Sequence, residues 1–271
     1  MEEMTIDGAT IAWDDTGDGE PTLLIHAGVF GAWFAPLAEH LPGRVIRMLR
    51  AGYTDSPPPP ALISLAQHAA HAAALLDALG TGPATVVGHS SSSVIALQLA
   101  HDRPELVRRL VLGEPPLIDP LLDPADVDEV HRVLGPAIGE AMAATAQGDG
   151  RGAFDAFMGA VCGPDFRTVV ANVLGPEALE RAERESLFFC SNELPATGGW
   201  TPVDPAAVPM PVLLVEGSRS PATTHHVTAR LAGMLPDARV ARIEGTNHLL
   251  PLTHPAELAE LVTRRNVALS R

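Results

Sequence analysis

The chain reads as an α/β protein, a mainly parallel sheet covered by helices on both faces and carrying a helical insertion. Three observations predict this. Short apolar runs alternate with helical periods through residues 10–113, and again from 211 to 267. That alternation is the pattern of parallel strands joined by helical crossovers. Between the two stretches, residues 117–205 show helical periods, frequent Gly and Pro, and no convincing strand. The expected organisation is a core of residues 1–116 and 206–271 with a cap of residues 117–205. Such a cap would cover the carboxyl ends of the strands, where open α/β sheets bind ligands.

The elements follow in order. Thr10-Ile11-Ala12-Trp13 alternates and runs to a Gly-Asp-Gly turn, so it reads as a strand of an opening hairpin. Thr22 to Ile25 is a buried strand ending at His26-Ala27-Gly28. A short helix fits Ala32 to Leu41, and a strand fits Val45 to Leu49 before the loop Arg50-Ala51-Gly52-Tyr53-Thr54-Asp55-Ser56. Four prolines at 57–60 stop regular structure there. Leu62 to Leu79 reads as a long helix ending at Gly80. Thr85-Val86-Val87 begins a strand, and a helix runs from Ser92 to Ala100. Val107 to Gly113 is the next strand and ends at Glu114-Pro115-Pro116. After the insertion come a strand at 211–216, a helix near 223–235, a strand at 239–243 and a helix from Pro255 to Val267.

The most informative stretch is Gly88-His89-Ser90-Ser91-Ser92-Ser93. A serine on a sharp strand-to-helix turn is exposed at the sheet edge, with a helix N-terminus behind it. The turn needs very small residues two before and two after the nucleophile. Ser90 meets this with Gly88 and Ser92. Ser91 would place His89 at the first position, and Ser92 would place β-branched Val94 at the second. The competing reading is a polar loop that only caps the helix.

A serine nucleophile needs a base within reach and a third group to orient that base. His248, in Gly245-Thr246-Asn247-His248, lies just past the last strand and at the same sheet edge as Ser90. His254 precedes Pro255 at a helix start and reads as structural. His26 and His89 each follow a strand and read as loop supports. His225 and His226 are helix neighbours, which diverge, so they do not form a metal pair.

Composition excludes several classes. The net charge is −15, which repels nucleic acid, acidic membrane and polyanionic substrates. Cys162 and Cys190 form no CxxC pair, against a zinc site or a disulfide scaffold. The acidic start Met1-Glu2-Glu3-Met4 lacks a signal pattern, and no run approaches 18 apolar residues. The expectation is a cytoplasmic enzyme that needs no cofactor or metal. Its partner is a small-molecule substrate, not nucleic acid or membrane; a homodimer is left open.

Taken together, the motifs resemble the α/β-hydrolase fold family along nearly the full length. The matching pieces are His26-Ala27-Gly28, Arg50-Ala51-Gly52, Gly88-His89-Ser90-Ser91-Ser92, the Pro-flanked strand at 211–216, and His248. The order nucleophile, acid, histidine is the family's. Ala27 and Ser92 stand where the family commonly has glycine. Where its acid usually stands, three residues after Gly217, this chain has Ser220. The resemblance then implies a minority arrangement with the acid at the end of the strand after the elbow, which here is Glu114. That arrangement is similar to zearalenone-type lactone hydrolases. Glu216 is the other candidate, but it lies before the glycine, within the strand. The oxyanion donors implied are the Ser91 N–H and the Gly28 N–H, with Val29 as the one-residue alternative.

The insertion contains Phe154, Phe157, Met158, Phe166, Leu187, Phe188, Phe189 and Trp200. Of these, Phe154, Phe157, Met158, Phe188 and Trp200, together with Val29, are expected to line an apolar pocket. No Arg or Lys cluster stands out as a carboxylate clamp. The expected activity is hydrolysis of a neutral, fairly hydrophobic carboxylic ester or lactone through an acyl-enzyme. Two alternatives remain. One is a non-hydrolytic cyclase, lyase or isomerase using the same cleft; the other is a ligand-binding protein without turnover. A dehalogenase is disfavoured because that chemistry uses an Asp nucleophile.

Overall fold

The computed structural model describes residues 1–53, 56, 59 and 61–264. Most of the Pro57–Pro60 run and the last part of the helix expected to reach Val267 lie outside the described residues. An eight-stranded sheet has the order β1-β2-β4-β3-β5-β6-β7-β8. Its strands are β1 (Glu2–Ile6), β2 (Ala9–Thr16), β3 (Pro21–Ile25), β4 (Arg44–Leu49), β5 (Ala84–His89), β6 (Val107–Gly113), β7 (Val212–Gly217) and β8 (Ala238–Ile243). From β4 through β8 every neighbouring pair is parallel, while β1–β2 and β2–β4 are antiparallel. The opening hairpin turns at Asp7-Gly8, and both residues have positive φ, as a tight primed turn requires.

The central strands β3, β5 and β7 are buried on both faces because their residues alternate between two cores. Leu23, Ile25 and Val86 face one core, while Leu24 and Val87 face the other. Helices α2 (Leu65–Leu79), α3 (Ser91–Asp102) and α9 (Ala222–Met234) cover the first face. Helices α1 (Ala35–His40), α10 (Leu250–Thr253) and α11 (Pro255–Thr263) cover the second. The α2 helix begins three residues later than the sequence suggests. Ser64 and Gln67 form a reciprocal capping box, with the Gln67 N–H donating to Ser64 Oγ and the Ser64 N–H donating to Gln67 Oε1. Gly80 ends that helix in the left-handed conformation.

Between β6 and β7 the described chain forms helices and no strand. They are α4 (Val127–Ala146), α5 (Gly150–Cys162), α6 (Phe166–Leu174), α7 (Pro176–Phe188), a π-turn at Phe189–Glu193 and α8 (Leu194–Gly198). Among the described residues, no helix is long and apolar enough to cross a membrane.

Candidate active site

Ser90 sits between β5 and α3 with φ 53° and ψ −128°, a backbone conformation rarely held by a non-glycine residue. Two neighbours make the turn possible. A Cβ on Gly88 would come within 2.3 Å of the Ser92 carbonyl oxygen, so only glycine fits there. Ser92 serves in place of glycine because its hydroxyl joins the turn. It accepts from the His89 N–H at 2.8 Å and donates to the His89 carbonyl at 2.9 Å. The Ser91 N–H opens α3 and has no intrahelical acceptor.

Glu114 directly follows β6 and is also held at positive φ, 37°. Its side chain is buried and fully engaged. Oε1 accepts from the Gly217 N–H at 2.8 Å and from the Ser220 hydroxyl; Oε2 lies 2.7 Å from His248 Nδ1. Burial is the largest influence on this carboxyl and pushes its pKa up. The bonds and charge of His248, with Ser220 and the Gly217 amide, outweigh that and hold it below the usual range. Ser220, at the position where the family commonly carries its acid, therefore supports the carboxylate that follows the neighbouring strand. Glu216 points elsewhere, into an ion pair with Arg242 at 2.6 Å.

Ser90, Glu114 and His248 line one cavity of about 810 Å³. Ser90 Oγ makes no hydrogen bond to His248 among the described residues; such bonds commonly tighten only with substrate bound. The His89 ring lies 4.4 Å from that of His248, centroid to centroid, and Trp33 packs on both. Burial, then the nearby His248, keeps His89 well below the ordinary histidine pKa. His89, Glu114 and His248 offer ligand atoms within 4.8 Å of one another, the one such group among the described residues. The Glu114–His248 bond already accounts for two of its atoms.

The other histidines divide as expected. His26 is a loop support: its Nδ1 donates to the Ala27 carbonyl and its Nε2 accepts from the Arg50 N–H, which fixes the neutral tautomer. His225 faces Glu216 while His226 bonds Asp126. His254 stands at the N-cap position of α11, its ring directed to the Thr253 hydroxyl at 2.9 Å.

The oxyanion loop differs from the first expectation. The Gly28 N–H donates to Ser91 Oγ at 3.0 Å and so is occupied. Val29, at φ 75°, lines the cavity, and its N–H meets no backbone acceptor among the described residues. The pocket lining also needs correction. Phe157, Met158 and Val29 line the cavity. Phe154 does not; it is buried between Phe30 and Phe166. Phe188 instead packs edge-on against Tyr53. Trp200 belongs to the core and reaches Gln98 Oε1 through its indole N–H. The lining that sequence reading missed is a stripe of α4, Val130, Val133, Leu134, Ile138 and Met142, together with Trp33. Its signal was present in the four-residue spacing of 130, 134, 138 and 142.

Comparison with known proteins places this geometry in a family. Residues 22–261 match the model of the alpha/beta hydrolase family, and the chain belongs to that family. It is 40% identical over 107 residues to the 2-hydroxymuconate semialdehyde hydrolase of Pseudomonas putida, a stretch covering 36% of this chain and 37% of that protein. It is 23% identical to the (E)-2-((N-methylformamido)methylene)succinate hydrolase of Acinetobacter baylyi, over 92% of this chain and 91% of that one. Among solved structures, the enol-lactonase of Burkholderia xenovorans LB400 superposes with a TM-score of 0.76 at 15% identity. That match covers 96% of this chain and 98% of the other. The first relative is thus matched over little more than a third of its own length.

Proposed function

We propose that the protein is a serine hydrolase of neutral, fairly hydrophobic carboxylic esters or lactones, working through an acyl-enzyme. The observation that carries this is the 2.7 Å bond between Glu114 and His248 Nδ1, made in the cavity onto which Ser90 opens. Glu114 orients the imidazole with Nε2 free to act as base. Ser90 Oγ attacks the carbonyl while its proton passes to His248 Nε2. The developing oxyanion is taken up by the Ser91 N–H and the Val29 N–H. The departing alcohol leaves with the proton held by His248. Water, deprotonated by the same imidazole, then releases the acid and restores Ser90.

The cavity supports the substrate class. Its described lining includes many aliphatic side chains and contains no Arg or Lys; the charged groups beyond the site are Asp119, Asp126 and Glu129. His131 and His226 also line it but are already bonded to Asp119 and Asp126, so the lining offers a substrate carboxylate no permanent countercharge. This separates the proposal from an activity on dicarboxylates such as the name of the Acinetobacter relative's substrate implies. The helices of residues 117–205 act as a cap over the cavity in this reading.

A fluorophosphonate probe should modify Ser90, located by mass spectrometry of the digested adduct. A panel pairing each ester or lactone with a carboxylate-bearing analogue should show turnover of the neutral member. Faster turnover of the charged members would reject the substrate class. Products formed in ¹⁸O-water should carry one labelled oxygen; its absence would point to a non-hydrolytic reaction.

A further inference from the structure

One buried carboxylate outside the triad has more partners than its place in the insertion requires. Glu193, at the end of the π-turn, is 1% exposed. Its Oε1 accepts from Ser91 Oγ at 2.6 Å and from Arg50 Nη2 at 3.1 Å; its Oε2 accepts from the Tyr53 hydroxyl and lies 3.0 Å from Arg50. Burial, then the charge of Glu193, raises the Tyr53 phenol well above its ordinary pKa, so it remains a donor. Arg50 is itself fully buried, and its Nη2 also holds the Ala27 carbonyl at 3.1 Å.

The direction of each bond follows from these donors. Ser91 has one hydroxyl proton, and it goes to Glu193. The Ser91 lone pairs are then left to accept the Gly28 N–H. The Gly28 amide is thereby drawn away from any reacting carbonyl, and the next residue, Val29, takes up positive φ on the cavity wall. The same segment grips this loop twice more. The Gly31 N–H donates to Glu185 Oε2 at 2.8 Å, and the Phe189 ring lies so close that a Cβ on Gly28 would come within 2.4 Å of it.

We propose that Glu193 is a positioning residue for the oxyanion hole. Through Ser91 Oγ it engages the Gly28 amide and sets the loop so that the Val29 N–H, beside the Ser91 N–H, receives the oxyanion. The inference rests on the serine-hydrolase reading. It adds a residue of the insertion to the machinery of that site.

The test compares Ser91→Ala, Glu193→Gln and the double variant with the unaltered protein. It measures the rate of Ser90 modification by a fluorophosphonate, kcat and KM on p-nitrophenyl butyrate, and Tm. Ser91→Ala keeps the Arg50–Glu193 pair and removes only the relay. It should lower kcat and the modification rate about 10- to 100-fold with KM within about twofold. Glu193→Gln should lower kcat to a similar degree, and the double variant should fall no further than the weaker single. Glu193→Gln also leaves a buried guanidinium without its countercharge, so where that variant does not fold, Ser91→Ala decides alone. Wild-type kcat in Ser91→Ala, or losses that multiply in the double variant, would overturn the role of Glu193. Failure of the probe to modify Ser90 in the unaltered protein would instead overturn the nucleophile, and this role with it.

Discussion

Two strained corners stand side by side at the carboxyl edge of the sheet, and they are built in opposite ways. Ser90 directly follows β5 and Glu114 directly follows β6, adjacent strands, and each is a non-glycine residue at positive φ. Beyond the backbone they part. The Glu114 carboxylate is buried and held by a backbone amide, a serine hydroxyl and an imidazole. The Ser90 side chain is half-buried and bonded to nothing that fixes it among the described residues. Backbone strain of this kind costs about 1–3 kcal/mol at each corner. The contrast fits the two duties proposed for them. A group that orients a base has to stay still, whereas a group that attacks has to rotate toward its target and later release it.

The largest effect expected from breaking this comparison is at the free corner. Ser90→Ala should lower turnover of a neutral ester by about 10⁴ or more, with the fold unchanged by circular dichroism. Near-full esterase activity in that variant would reject the nucleophile. At the fixed corner, Glu114→Gln keeps the shape and removes the charge. It should cost about 10²- to 10⁴-fold in kcat, as loss of the orienting carboxylate does in such triads. Ser220→Ala removes one of three donors and leaves the Gly217 amide in place, so about a three- to tenfold loss is expected. A ranking with Ser220 above Glu114 would overturn the choice of acid.

A smaller, graded effect should appear in stability against pH. Burial, the leading cause for each, keeps His26, His68 and His89 well below the ordinary histidine pKa. The folded protein leaves them neutral, while the unfolded chain takes up protons below its own pKa of about 6.5. Stability should therefore fall as pH drops below about 6.5, by up to about 1.4 kcal/mol per pH unit for each histidine. Glu114 acts in a lower window. Its contribution is complete above the unfolded pKa of about 4.3 and disappears as pH falls through its depressed folded value. Urea midpoints between pH 8 and 5 measure the first effect. A flat profile would show that the buried histidines find protons or partners in the folded state.

Much of the site was legible because short-range chemistry specifies it. The small residues around Ser90, the Glu-Pro-Pro end of β6 and the loop bearing His248 are local signals, each tied to a strand end. Less legible were features made by contacts across the chain. Ser91 and Glu193 are 102 positions apart, and nothing near either residue announces the bond between them. The Gly28 amide could be assigned only once that bond was seen. Aromatic content likewise failed to separate cavity wall from interior: Phe154, Phe188 and Trp200 proved to be packing, while aliphatic residues on α4 form much of the wall. A helix stripe that faces a void has the same periodicity as one that faces a core.

The position of the carboxylate has a consequence for biosynthesis. With the proposed acid just after β6, the hydroxyl, the carboxylate and both proposed amide donors all emerge from the ribosome before the helices between β6 and β7 are made. The imidazole follows 134 positions after Glu114, on the far side of those helices. On the proposed reading, a chain stopped anywhere before His248 holds a nucleophile and a carboxylate with no base between them, so a half-made copy cannot consume substrate.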